Sequence, residues 1–443
     1  MSTAIETSSA QISEWKVVKG GLVVGAGILA GQALGFLRQA TIAYLLGTGP
    51  QADAIAVAFA PVDLWFAVLS TAVIFGFGPL LAARDRAAMG PAFRDLVRPV
   101  AGLALVATAL FLLLADGIVG LLAPGLEPGT AALAARLLRT TALAIPAVSW
   151  STLFTALLYS ERKFTFPAFH QAVVNLCTIA TAVLLDARYP AFGFAAGYAA
   201  GAWLQLGAAY VISRRTLRLR LRSGERVKPW TLLAGPTPVL CYSALIGLNP
   251  IVTRALASTF GSGATAAFDY CLKLVGVPLA LLVIPLSSSL LTEIAPFRML
   301  HDRRAAWGAI RRAAVATALA STAIVFLMHW LGPWVVALLF ERGRFSAAST
   351  STVSGILSGF FPVLAAWSVL DVMSRSLFSL SRSWIPILAA TLALVVNALL
   401  SALVPMRSIQ GVGLGAVVGF VAAAALVAAH LWKVGRSSPL SRD

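Results

Sequence analysis

Apolar runs, each about as long as a membrane crossing, recur from one end of the chain to the other, separated by short polar, Gly- or Pro-bearing connections. At ~20 residues per crossing they predict twelve helices, near 21–46, 54–82, 99–123, 131–158, 167–185, 191–212, 231–260, 264–292, 308–339, 350–379, 385–404 and 410–432. Pro167 and Pro386 follow the polar runs Ser160-Glu161-Arg162-Lys163 and Ser379-Leu380-Ser381-Arg382. A helix start tolerates the missing N–H there. The predicted fold class is all-α, a polytopic membrane protein of about twelve transmembrane helices in two six-helix lobes. The first twenty residues, MSTAIETSSAQISEWKVVKG, have no apolar core or cleavage site of a signal peptide and read as a cytosolic tail.

Composition agrees with this pattern. Hydrophobic residues make up 59% of the 443 and charged residues 12%, against ~25% charged in an ordinary soluble domain. These values exclude a disordered chain, a disulfide scaffold and an ordinary soluble enzyme. The net charge of +17, from 34 Lys and Arg against 17 Asp and Glu, changes the picture more. No basic domain stands apart from the apolar runs, so nucleic acid is not the expected partner. With the N-terminus in the cytosol, 24 cations fall in cytosolic segments, six outside and four deep in spans. Such a bias is the positive-inside pattern, and it places both termini in the cytosol. The expected organisation is a tail at 1–20, a six-helix lobe at 21–212, a basic linker at 213–230, a second lobe at 231–432 and a tail at 433–443. The linker, SRRTLRLRLRSGERVK over 213–228, reads either as solvated topology charge or as an amphipathic segment touching anionic headgroups.

The halves echo each other. Leu46-Gly47-Thr48-Gly49 matches Phe260-Gly261-Ser262-Gly263, Leu158-Tyr159-Ser160 matches Leu377-Phe378-Ser379, and Asn175 and Asn397 follow the two prolines. A duplicated six-span unit with both copies in one orientation suggests alternating access around a site between lobes.

Ionisable groups at membrane depth cost ~2.5–3.5 kcal/mol to insert and mark candidate sites. The four deep cations are Arg38, Arg254, Lys273 and Arg375. Facing a cavity, they would suit an anionic substrate such as a diphosphate; the plain alternative is snorkelling or structural pairing. Asp53, just past Gly47-Thr48-Gly49-Pro50, either caps the second span or pairs with a cavity arginine. Asp63 lies deeper. Asp269 precedes Lys273 by four residues and Asp371 precedes Arg375 by four, so each pair shares a helix face and either neutralises itself or serves function. Asp63, Asp269 and Asp371 are the carboxylates available to carry a coupling proton or Na+. Cys177, Cys241 and Cys271 have no metal or disulfide spacing, the four histidines are isolated, and no catalytic motif is present. The chain does not read as an enzyme, and no resident cofactor is expected.

Four stretches resemble the MurJ (MviN) family, lipid II flippases of the multidrug/oligosaccharidyl-lipid/polysaccharide exporter superfamily. They are LGFLRQATIAYLLGTGPQADAIAVAF (34–59), LYSERKFTFPAFHQAVVNL (158–176), LNPIVTRALASTFGSGATAAFDYCLKLVGVPLALLVIPLSSSLLTEIA (248–295) and LFERGRFSAAST (339–350), the last followed by Arg382 to Pro386. The resemblance implies a MurJ-like or MATE-like pair of lobes around a cationic central cavity. It implies that a lipid-linked oligosaccharide diphosphate moves from the cytosolic to the outer leaflet of a bacterial inner membrane. Drive would come from Na+, H+ or the membrane potential. By position, Arg38 and Lys273 match family cavity cations and Asp53 the acid after the first outer loop. The expected partners are membrane lipids, the lipid-linked saccharide and enzymes of cell-wall or polysaccharide synthesis.

The chain also departs from the pattern. Gly31-Gln32-Ala33 replaces the family's Ser-Arg, Trp65-Phe66 an arginine, and Leu272 the acid before the eighth-span cation; twelve spans replace the usual fourteen. These differences keep open another lipid-linked saccharide, for exopolysaccharide, as the substrate. Two further alternatives are a drug/cation antiporter of the same superfamily and a non-transporting membrane scaffold.

Overall fold

The computed structural model describes residues 2–73, 77, 86–161, 163–185, 190–220, 237–283, 303–379, 383–403 and 408–436, with no strand among them. The helices are α1 (Ser2–Leu46), α2 (Pro50–Ala72), α3 (Arg86–Leu113), α4 (Ala115–Leu122), α5 (Pro128–Ala142), α6 (Ala144–Ser160), α7 (Thr165–Leu184) and α8 (Pro190–Arg220). They continue as α9 (Thr237–Ala257), α10 (Ala264–Pro278), α11 (Arg303–Phe340), α12 (Ala347–Phe360), α13 (Val363–Ser379), α14 (Trp384–Leu403) and α15 (Leu414–Arg436). Among the described residues nine helices, α5 and α6 counting as one, are long and apolar enough to cross a membrane. The pair α12–α13, bent by 45°, makes a tenth if counted as one broken span. The remaining two of the twelve expected spans correspond to α1 and α8, both long helices outside that count. The chain is an all-α, multi-pass membrane protein.

Several boundaries differ from expectation. The span expected at 99–123 breaks at Leu114 into α3 and α4. Residues 2–20, expected as a tail, continue α1, for no proline or glycine precedes Gly20 to stop the helix. The start of the linker extends α8 to Arg220. The rest of that linker, the end of the eighth span, Arg382 and the last seven residues lie outside the described residues.

The chain divides into two compact units that do not coincide with the two halves of the sequence. One holds residues 1–38, 69–113 and 139–237; the other holds 39–68, 114–138 and 238–443. In the first unit, α7 and α8 pack through Gly193, Gly197 and Gly201. A Cβ on these glycines would fall 2.9 Å from Ala182 Cα, 2.7 Å from Cys177 O and 2.9 Å from Val174 Cα, respectively. Between apolar helices in lipid, close backbone approach of this kind replaces the hydrophobic drive that water would supply. In the second unit α14 and α15 repeat the device: a Cβ on Gly415 would sit 2.7 Å from Asn397 Oδ1, and Gly419 lies against Ala393.

Candidate functional site

The candidate residues fall in both units. Arg38 belongs to the first; Asp53, Asp63, Arg254, Asp269, Lys273, Asp371 and Arg375 belong to the second.

Arg38, near the end of α1, is only 8% exposed. Its guanidinium carbon stands 5.7 Å from the centroid of the Tyr198 ring on α8. A planar cation over an aromatic face keeps its charge in a low-dielectric setting and holds its fork in one orientation.

In the second unit the sequence-related turns come together. Asp53, in the first turn of α2 and 1% exposed, accepts hydrogen bonds from the backbone N–H groups of Gly263 and, at 2.7 Å, Ala266. The cap that its position suggests for its own helix therefore goes to α10, more than two hundred residues away. A carboxylate at a helix N-terminus satisfies N–H groups that lack intrahelical partners and opposes the positive end of the dipole. The backbones around it are in close contact. Gly263 has φ +90° and packs against the Thr48 carbonyl, and Gly47, at φ +62°, packs against the Arg344 carbonyl. Neither position has room for a β-carbon, and both use the left-handed region that glycine enters freely. Tyr270 donates to the Gly47 carbonyl at 2.7 Å, and the Thr48 and Ser349 hydroxyls lie 2.7 Å apart. The Arg344 N–H donates to the Tyr44 carbonyl at 2.9 Å. The turns after α1, α9 and α11 thus form one interlocked contact. Its partners are mostly backbone.

The deep ionisable groups largely meet each other. Arg254 on α9, 5% exposed, donates to Asp269 on α10, Nε at 3.1 Å, and lies over the Phe268 ring. Asp371 and Arg375 bond at 2.6 Å along α13, the internal neutralisation that their spacing allowed. Lys273 and Asp63 are half-buried. Sequence reasoning missed the partner of Asp53 and the role of Tyr270. It also missed a largely buried polar cluster in which Asn397 Nδ2 donates to Asn249 O and Thr253 Oγ1 at 3.2 Å each, while Ser401 donates to Asn397 Oδ1. Asn397 was visible only as an echo of Asn175.

Chemically, the arrangement offers cations, hydrogen-bond donors and carboxylates. Among the described residues no group of three or more His, Cys, Asp or Glu could hold a metal ion.

Against known proteins, the family model described as "Lipid II flippase MurJ" matches residues 42–440. The chain is 26% identical over 437 residues to the probable lipid II flippase MurJ of Rhizobium tropici, covering 93% of this chain and 80% of that protein. It is 26% identical to the lipid II flippase MurJ of Burkholderia cenocepacia, covering 85% of this chain and 76% of that one. Among solved structures, a lipid II flippase MurJ in an inward closed conformation superposes with a TM-score of 0.78 at 17% identity, covering 94% and 90% of the two chains. An inward-facing MATE-family multidrug transporter superposes with a TM-score of 0.76 at 14% identity, covering 92% and 96%. At these identities the superpositions speak for the fold alone.

Proposed function

The chain belongs to the lipid II flippase MurJ family, and from that membership we propose that it carries a polyprenyl-diphosphate-linked saccharide, lipid II first, across a bacterial inner membrane. It is a transporter and not an enzyme. Transport runs from the cytosolic to the outer leaflet, with both termini in the cytosol. The match over residues 42–440 is the observation that carries this reading.

The geometry adds a division of labour among the charged candidates. Arg254 and Arg375 already face carboxylates, so their first role is to hold α9 against α10 and to neutralise α13. Arg38 and Lys273 match family cavity cations by position, and for that reason are the principal cations proposed for the diphosphate. The stacked Arg38 supplies bidentate geometry and Lys273 a point charge. Asp53 serves a conformational role: it fastens the start of α2 to the start of α10, and the transport cycle would loosen and remake that contact. Asp63, Asp269 and Asp371 remain the carboxylates through which Na+, H+ or the membrane potential would reset the cycle. Enzymes that make cell-wall or polysaccharide precursors are the expected neighbours.

The test is complementation of a strain depleted of its lipid II flippase. Wild type should restore growth, and Arg38→Ala should fail at normal membrane abundance. Full growth with Arg38→Ala removes Arg38 from the substrate site. Failure of wild type, together with rescue of a polysaccharide-export mutant, would move the substrate to another lipid-linked saccharide.

A further inference from the structure

Away from these residues, the first unit contains a slot of about 270 Å³ among α3, α6 and α8, with a wholly apolar lining. Phe93 forms its buried floor, Val97, Trp150, Phe154 and Leu206 its walls, and Tyr210, 54% exposed, its rim. The rings are mutually fixed: Phe93 and Phe154 have centroids 5.7 Å apart, and Phe154 meets Tyr210 edge-on at 6.1 Å. A cavity just below the size of ordinary small-molecule pockets (~300 Å³), lined by rigid aromatics, accepts a hydrocarbon chain and offers nothing to a polar headgroup.

The surroundings supply the complementary chemistry. All three helices reach the slot near the same end: α3 in its first turns, α6 and α8 in their later ones. Leu206, Tyr210 and Arg214 recur every four residues on α8 and therefore lie on one stripe; Arg214 continues the slot-lining row toward the helix end. Arg94 and Arg98 follow the slot residues Phe93 and Val97 on α3. All three arginines are exposed and have no ion-pair partner among the described residues, while the carboxylate between two of them, Asp95, is buried. Arginines of this kind can lay their stems along apolar surface and present the charge at headgroup level.

We propose that this slot is a specific site for an anionic phospholipid of the surrounding bilayer. One acyl chain lies against Phe93, Phe154 and Tyr210, and the phosphate is held by Arg94, Arg98 and Arg214. The site differs from the passing lipid shell because both halves of the ligand are matched, the chain by a fixed aromatic slot and the charge by three cations. It requires only that the protein sits in a bilayer, so its failure would leave the flippase reading intact, and Arg38→Ala does not bear on it.

Trp150 in the slot wall provides the readout. The full-length protein is reconstituted in phosphatidylcholine vesicles with increasing fractions of phosphatidylglycerol carrying brominated acyl chains, which quench indole fluorescence on contact. Subtracting the Trp150→Phe protein isolates one of eleven tryptophans. Trp150 should be half-quenched at a much lower fraction of brominated phosphatidylglycerol than of brominated phosphatidylcholine. Arg94→Gln, Arg98→Gln and Arg214→Gln should each weaken the preference by about fivefold, the equivalent of ~1 kcal/mol per surface cation. Leu153 also lines the slot, and Leu153→Phe, which adds bulk there, should reduce quenching with the arginines intact. Native mass spectra should retain phosphatidylglycerol on wild type and lose it from the triple-glutamine variant, a check that does not depend on Trp150. Equal quenching by the two lipids, or a preference that survives the triple variant, overturns the proposal. So does displacement of brominated phosphatidylglycerol by a polyprenyl phosphate at a lower fraction than by unlabelled phosphatidylglycerol, which would make the slot a substrate-tail site.

Discussion

Asp53→Asn is the sharpest probe of the interlocked contact. Asp53 receives two backbone N–H donors in a site that is 1% exposed. Asn keeps the shape but offers one carbonyl oxygen, so one N–H of α10 faces an amide that also donates. A hydrogen bond to a charged group contributes ~1.5–3 kcal/mol, and a buried donor left without an acceptor costs ~1–3 kcal/mol. Loss of the negative charge beside the helix N-terminus adds up to ~1 kcal/mol. These are overlapping descriptions of one interaction, so a total of ~2–3 kcal/mol is the reasonable figure, about 30- to 150-fold in the closed-to-open ratio. The assay uses Thr48→Cys with Ser349→Cys, whose native hydroxyls are 2.7 Å apart in the contact, in a chain whose three cysteines are replaced by alanine. Oxidative cross-linking should be fast with Asp53 in place. Asp53→Asn should slow it at least tenfold while the protein remains monodisperse and membrane-inserted. Unchanged cross-linking in a well-folded Asp53→Asn protein would refute the claim that Asp53 holds this contact.

Three further substitutions separate structure from transport. Asp269→Asn strands the buried Arg254 and should destabilise the protein by ~3–5 kcal/mol, read as a lower melting temperature in detergent, while Arg254→Met with Asp269→Leu should recover most of it. A single variant as stable as wild type would return Arg254 to the principal candidates for the diphosphate. Gly263→Ala places a side chain at φ +90°, ψ −14° against the Thr48 carbonyl, whereas Gly261→Ala meets a harsher backbone conformation, φ +91° with ψ −177°, in open space. In the double-cysteine background the first should disrupt cross-linking between positions 48 and 349 far more than the second; equal effects would make the strain, rather than the close approach, the cause. Asn397→Leu removes the donor that serves Asn249 and Thr253 and crowds Gly415. A loss of ~2–3 kcal/mol is expected from the stranded acceptor, and an unshifted melting temperature would show that the cluster contributes no stability.

The spans were legible because hydrocarbon tolerates few charges, and an uninterrupted apolar run of sufficient length has few other uses. What joins the spans was not. Gly193, Gly197 and Gly201 stand every fourth residue in a stretch already rich in Gly and Ala, so their spacing carries little contrast, and only the proximity of Val174, Cys177 and Ala182 makes it meaningful. Asp53 reads as a cap from its position, yet the donors it accepts from are backbone N–H groups, which every residue but proline has and which leave no mark in a sequence. The duplicated turns Leu46–Gly49 and Phe260–Gly263 are similar as strings; that Gly263 packs on Thr48 is a fact of tertiary contact.

Charge shows the same limit and sharpens the functional argument. Helical spacing points from Asp269 to Lys273, four residues ahead. Asp269 also pairs with Arg254, across two helices and fifteen residues, and no periodicity announces that contact. With Arg254 and Arg375 each facing a carboxylate, four deep cations cannot be treated as four equivalent substrate ligands. An ion pair must be broken and its carboxylate left in the membrane before either arginine can meet a diphosphate with its full charge, and that costs several kcal/mol in a low-dielectric setting. The contact seen at Arg38 is of another kind: its guanidinium lies over the Tyr198 ring, and a cation can keep its place on an aromatic face while its fork meets an anion. Binding at Arg254 or Arg375 would take that arginine away from a carboxylate. Arg38 also matches a family cavity cation by position, so the substrate test belongs there and the stability test at Arg254.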